Sequence, residues 1–121
     1  MTIHGSCHCG ANKFSVEIEP AGLTQCTCSI CSKSGALWAY YKPEQVTFEK
    51  AKSHATYRWQ SMTVEHNFCP ACGCVVNNLS PDWSTGKPDF TNMNVSLNAR
   101  LFDDFDITSL PVTVLDGKNL W

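Results

Sequence analysis

The feature that most restricts what this chain can become is its set of eight cysteines, all of which fall between Cys7 and Cys74 of a 121-residue sequence. They form three clusters: Cys7 and Cys9; Cys26, Cys28 and Cys31; Cys69, Cys72 and Cys74. The opening residues, Met1 to Cys9, lack the basic and apolar regions of a secretory leader, and no apolar run approaches the roughly 18 residues of a membrane helix. The expectation is a cytoplasmic protein, also nuclear if eukaryotic, with no membrane partner. In a reducing compartment, clustered thiols are metal ligands more often than disulfides.

Spacing divides the cysteines further. In Cys7-His8-Cys9-Gly10 and in Cys69-Pro70-Ala71-Cys72-Gly73, a glycine directly follows the second cysteine. Two sulfurs from neighbouring positions reach one zinc ion only if the chain turns sharply, and glycine tolerates the positive φ of such a turn. The two knuckles predict a closed structural zinc site on Cys7, Cys9, Cys69 and Cys72. Zinc held in this way contributes about 10–16 kcal/mol to folding, against about 5–15 kcal/mol of net stability for a typical domain. On those magnitudes the metal decides whether the chain folds.

The middle cluster, Cys26-Thr27-Cys28-Ser29-Ile30-Cys31, supplies three sulfurs and no following glycine. Three protein ligands plus one open position is how catalytic zinc is held, so a second zinc is expected on Cys26, Cys28 and Cys31, making two per chain. A closed alternative recruits Cys74 as fourth ligand, and another reads Cys74 as a small buried apolar side chain; spacing leaves both open. Three thiolates leave zinc(II) with a formal charge of −1, a weak Lewis acid ill suited to generating hydroxide but suited to holding an incoming thiol as its thiolate beside an electrophile. A zinc deaminase is set aside, because it needs a Glu two residues after the first ligand and a Pro-Cys-x-x-Cys pair, and the sequence has neither.

Between the clusters the pattern is that of short strands. Phe14, Val16 and Ile18 alternate with polar residues, and Ala36 to Tyr41 is an aromatic-rich run stopped by Pro43. Further strands are expected at Val46–Glu49, Ala55–Gln60, Thr63–Phe68, Val75–Leu79 and Met93–Leu97, a loop at Ser80–Pro88, and a final edge strand in Leu110–Leu115, where Pro111 suits an edge. No window of twelve residues carries a capped helical stripe. The expectation is one mainly β domain over residues 1–121, built from short antiparallel strands. A hydrophobic share of 43% argues against disorder, and a net charge of −2 without a basic arm argues against a nucleic-acid partner. Oligomeric state is not legible.

Gly5-Ser6-Cys7-His8-Cys9-Gly10, then Cys26-x-Cys28-x-x-Cys31, then Phe68-Cys69-x-x-Cys72-Gly73 together resemble the glutathione-dependent formaldehyde-activating enzyme family, which has a centromere-protein-V branch. The resemblance spans nearly the whole chain. It implies a zinc-stapled fold of the β-tent type, a structural zinc on Cys7, Cys9, Cys69 and Cys72, and a second zinc on Cys26, Cys28 and Cys31 where glutathione adds to formaldehyde. The implied activity is that of a carbon-sulfur lyase, with a small-molecule thiol and an aldehyde as partners; the alternative is a non-catalytic zinc module that binds thiols or partner proteins. The chain departs from the family's common pattern at Thr27, where histidine is frequent, and at Ser32-Lys33, where arginine is frequent.

Other residues carry weaker signals. Lys33, Lys42 and Arg58 are cations that could balance the zinc-thiolate charge or hold glutathione carboxylates. His54 and His66 lie in or beside expected strands, where a histidine is more often a satisfied side chain than a base. Trp38, Tyr40 and Tyr41 could wall a pocket, although core packing is the commoner fate of such a run.

Overall fold

The computed structural model describes residues 2–49 and 54–120. In chain order its strands are β1 (Ile3–Ser6), β2 (Lys13–Val16), β3 (Leu23–Cys26), β4 (Trp38–Tyr41), β5 (Val46–Phe48), β6 (Ala55–Tyr57), β7 (Glu65–Phe68), β8 (Val75–Asp82), β9 (Asp89–Asn98) and β10 (Val112–Leu115). Two short helices, α1 (Ser29–Ser34) and α2 (Gly117–Leu120), complete the regular elements apart from three 3-10 turns. The protein is mainly β, as the alternating patterns imply. None of the described helices is long and apolar enough to cross a membrane.

The strands form two sheets, a small one ordered β1-β2-β5 and a large one ordered β10-β3-β4-β9-β8-β7-β6. Ile3, Phe14, Val16 and Val46 of the small sheet share one buried cluster with Ala39, Tyr41, Val76, Val95 and Leu97 of the large one. Alternation makes this possible: along β2, Phe14 and Val16 point inward while Lys13 and Ser15 do not. The alternation stops there, since Ile18 is half exposed beyond the strand end. Cys7 and Cys69 belong to the same buried cluster. The opposite face of the large sheet carries a second, smaller cluster of Cys26, Cys28, Cys31, Ala36 and Trp38.

Three features differ from the sequence expectation. β8 runs on through Ser80 to Asp82 and β9 begins at Asp89, because Ser80, Pro81 and Asp82 pair with Asn94, Met93 and Asp89 across a bulge between Pro81 and Asp82. The expected loop shrinks to a turn. The strands are not all antiparallel either: β10 is an edge strand, as expected, but it runs parallel to β3, in register Val112↔Leu23 to Leu115↔Cys26. A parallel neighbour requires a long crossover, here supplied by residues 99–111. Finally, β1 and β3 were not expected as strands; each is only four residues long and abuts a cysteine motif.

Gly5 shows how tightly the small sheet is packed. It pairs with Phe14 across β1 and β2, and a Cβ built on it would lie 2.3 Å from the Phe14 ring. That ring packs edge-on against Phe48 and Phe102, with centroids 6.3 and 6.0 Å away, so it has nowhere to retreat. Gly5→Ala should therefore lower stability by about 3 kcal/mol, the upper end of ordinary overpacking, seen as a lower denaturant midpoint at saturating zinc; an unchanged midpoint would contradict this packing.

Candidate metal centres and the adjoining cavity

The turn after β1 and the turn between β7 and β8 are built alike. Gly10 and Gly73 both have φ of 82°. The Gly10 N–H donates to the Cys7 carbonyl at 3.0 Å, and the Gly73 N–H to the Cys69 carbonyl at 2.8 Å. Each bond closes a loop that swings its two cysteines toward one point. As a result the sulfurs of Cys7, Cys9, Cys69 and Cys72 all lie within 4.8 Å of one another. Cys9 to Cys7 is 3.7 Å and Cys9 to Cys69 is 3.6 Å. Four sulfurs bound to one zinc at about 2.3 Å in a tetrahedron stand roughly 3.8 Å apart, so the donor set fits zinc in both chemistry and spacing.

Two sulfurs of this group, Cys7 and Cys72, sit where backbone donors favour negative charge. The Asn12 N–H donates to the Cys7 sulfur at 3.3 Å. Backbone N–H groups of Cys74 and Cys9 point at the Cys72 sulfur and bring its thiol down to about 5. Cys74 itself stands outside the four, its sulfur accepting from the His8 N–H and bordering Cys72 and Cys7. It is therefore not placed to complete the middle cluster. Its position follows from the turn, where the Cys69 N–H donates to the Cys74 carbonyl at 2.9 Å before β8 begins at Val75.

Cys26, Cys28 and Cys31 make the second group, again with sulfurs within 4.8 Å of one another and all three buried. Cys26 ends β3 and Cys28 is the N-cap of α1. A helix brings positions three apart to one side, so the first turn of α1 sets the Cys31 sulfur beside that of Cys28. Gly35, at φ 71°, stops the helix at once, its N–H donating to the Cys31 carbonyl. Among the described residues no fourth Cys, His, Asp or Glu ligand atom joins the group. Three sulfurs of this kind suit zinc with one position left over.

Thr27 has a structural task. Its N–H and hydroxyl both donate to the Leu115 carbonyl, at 3.0 and 3.3 Å, and its hydroxyl accepts from the Lys118 N–H at 3.2 Å. The linker between the first two sulfurs is thereby tied to β10 and α2. On the other side the Trp38 indole N–H donates to the Cys31 sulfur at 3.4 Å. Trp38→Phe keeps an aromatic ring, though a smaller one, and removes the donor, and loss of such a bond to a ligand typically costs 10–100-fold in metal affinity. A drop of about that size in zinc affinity at this group, measured by chelator competition with the fold intact, is expected; equal affinity would show the bond to be idle.

Burial pushes the Cys26 thiol up, and burial together with the neighbouring Cys28 sulfur does the same to Cys31. Metal must displace these protons, and each displaced proton makes affinity fall about tenfold per pH unit of acidification. The sign is that binding strengthens as pH rises. Cys26 and Cys31 alone give a fall of about 100-fold per pH unit below neutrality. Within the four-cysteine group the shifts oppose each other, Cys72 held down to about 5 and Cys9 pushed up to about 11; its fourth sulfur should let it keep zinc to lower pH, and a zinc-release titration should show the three-sulfur group emptying first.

Beside Cys31 lies a cavity of about 250 Å³, walled by Ile30 and Ser34 of α1, Trp38 of β4, Tyr57 of β6, His66 and Phe68 of β7, and Val75 and Asn78 of β8. Its lining is mostly apolar with a few polar groups, the usual character of a small-molecule site. Of the aromatic run, Trp38 lines this cavity, Tyr41 is in the core with its hydroxyl donating to the Ile18 carbonyl, and Tyr40 is exposed. The candidate cations are placed differently. Lys42 is held by Asn92, Asn94 and the Met93 carbonyl, and Arg58 pairs with Glu65 at 3.5 Å. Lys33 is exposed on the last turn of α1, and His54 is exposed and lines a different cavity.

A family model described as glutathione-dependent formaldehyde-activating enzyme matches residues 2–103. The chain belongs to that family. A curated Halomonas elongata protein, provisionally named as a glutathione-dependent formaldehyde-activating enzyme, is 28% identical over 93 residues, which cover 69% of this chain. The match takes in 59% of that relative's own length. A crystal structure of a Rhodobacter sphaeroides protein superposes with a TM-score of 0.70 at 23% identity, covering 91% of this chain and 99% of the other. That likeness shows a shared fold. The family match ends before β10 and α2, the elements that tie down Thr27.

Proposed function

We propose that this family member is a zinc-dependent carbon-sulfur lyase that joins the thiol of glutathione to formaldehyde or a related small electrophile, giving an S-hydroxymethyl adduct. The observation that carries the reading is the three-sulfur group of Cys26, Cys28 and Cys31, short of a fourth ligand among the described residues and bordered by the cavity at Cys31. Zinc held there would supply the ionisation of a coordinated thiol. Cys7, Cys9, Cys69 and Cys72 would hold the structural metal, for a total of two zincs per chain.

The chain's own residues do the rest. Trp38 steadies the Cys31 sulfur by its N–H bond, and Thr27 fixes the spacing of Cys26 and Cys28 from the β10 side. Ile30, Phe68 and Val75 give the space beside the sulfurs an apolar wall. Catalysis is then mainly a matter of proximity: effective molarities for well-oriented partners reach about 10⁵–10⁸ M. Reduced thiols at both groups suit a cytoplasmic setting.

The test is to load the protein with zinc, measure glutathione binding calorimetrically, and follow adduct formation from ¹³C-formaldehyde by NMR. Binding together with acceleration over the uncatalysed addition supports the lyase. Binding without acceleration would leave a thiol-binding module, and no binding would remove both readings.

A further inference from the structure

The face of the large sheet that carries the three-sulfur group also carries a row of side chains that the cysteine motifs do not explain. Register pairs Tyr40 with Ser96, Ser96 with Asn78, Asn78 with His66, and His66 with Tyr57, across β4, β9, β8, β7 and β6. Directly paired residues share a face, and Trp38, two residues before Tyr40, lies on it too. The row leads to the cavity at Cys31, which His66, Asn78 and Tyr57 all line.

Within that row His66 is held in one orientation and one tautomer. Its Nδ1 lies 3.0 Å from Oδ1 of Asn78. An amide oxygen only accepts, so Nδ1 carries the proton and donates. In the neutral ring the lone pair is then on Nε2, for which no hydrogen-bond partner is found among the described residues. Asn78 is buried, at 9% exposure, and its place on β8 is fixed by pairing on both sides, so the orientation is built into the sheet. Burial pulls the His66 pKa down, against a smaller upward pull from the Asn78 bond, which favours the neutral ring. The titratable groups around the ring are Tyr57 on β6, whose ring centroid is 6.4 Å away, and Cys31 on α1 across the cavity. Asn78 on β8 and Trp38 on β4 bring no charge.

We propose that His66 is the proton carrier of this cavity: Nε2 takes the proton of the incoming thiol and returns it to the oxygen of the aldehyde, while Asn78 is a positioning residue that holds the acceptor tautomer. The inference rests on the thiol-addition reading above. The balance closes without oxidant or reductant. The thiol S–H bond breaks and its proton passes to Nε2; a sulfur lone pair forms the C–S bond as the carbonyl π pair moves onto oxygen; the imidazolium then gives its proton to that oxygen. The product is the neutral S-hydroxyalkyl adduct, and the ring is neutral again.

The test counts protons. Zinc-loaded protein is titrated with glutathione, without aldehyde, at about pH 7, where a thiol of ordinary pKa near 8.5 is still protonated. Calorimetry in two buffers of different ionisation enthalpy gives the protons released per thiol bound. Wild type should release close to none, because the negative charge of the bound thiolate opposes the downward pull of burial and lets His66 keep the proton, and His66→Gln should release about one. Should His66→Gln fail to fold, ¹⁵N NMR of wild type reads the same event, with the His66 ring assigned through its contact with Tyr57: an Nδ1–H neutral ring before glutathione and an imidazolium at saturation. Equal proton release by the two proteins, or a His66 ring that stays neutral at saturation, would overturn the proposal and leave the thiol site standing. Absence of glutathione binding by zinc-loaded wild type overturns both together.

Discussion

Cys69→Ala should leave the chain unable to hold its tertiary structure even with zinc in excess. Cys69 is fully buried at 0% exposure, belongs to the main core cluster, and stands 3.6 Å from the Cys9 sulfur. Replacing cysteine by alanine removes one sulfur from the core, ordinarily a modest loss. Here it also removes one of four thiolates whose metal is worth about 10–16 kcal/mol, more than most domains have to spare. The control is Cys74→Ala, a substitution of the same kind five positions later and outside both groups, expected to cost no more than about 1–2 kcal/mol. Near-UV circular dichroism and amide dispersion compare the two variants. A folded Cys69→Ala protein with the midpoint of Cys74→Ala would sink the structural role of the four-cysteine group.

The second large effect runs the other way. Cys28→Ala should keep the fold and the first metal while losing the second, and with it glutathione binding, by more than about 100-fold; changes around a metal ligand already cost 10–100-fold, and this one removes the ligand itself. The reasoning is one of location. Cys28 sits in the smaller cluster on the opposite face of the large sheet, with Cys26, Cys31, Ala36 and Trp38, so the small sheet and the main core do not depend on it. Metal analysis should give one zinc equivalent fewer than wild type, with amide dispersion unchanged outside the smaller cluster. An unfolded Cys28→Ala protein, or one that binds glutathione as wild type does, would show that the two groups do not divide the work in this way.

What could be read from the sequence, and what could not, follows from the range of each interaction. The knuckles were legible because cysteine and glycine stand within five residues of each other and positive φ leaves a local trace at Gly10 and Gly73. β2 and the final edge strand announced themselves by alternation and by Pro111. Cys74 stayed ambiguous because its role depends on where the turn ends and β8 begins, a difference of one residue that alternation does not resolve. His66 was weighed as an ordinary strand histidine, since its partner Asn78 is twelve positions away on the next strand and nothing in either neighbourhood signals the pair. Lys42 looked like a free cation; three acceptors on β9, some fifty positions later, hold it. The parallel pairing of β10 with β3 depends on a crossover of irregular chain, for which there is no periodic pattern to read.

The grip of β10 and α2 on Thr27 also orders events during synthesis. A chain emerging from its N-terminus has all four sulfurs of the first group once Cys72 is out, and all three of the second long before. The carbonyl of Leu115 and the N–H of Lys118, which frame Cys26 and Cys28 through Thr27, arrive roughly 2–9 s later at about 5–20 residues per second. The nascent protein can thus bring its four-cysteine group together while its three-cysteine group still lacks an outer wall.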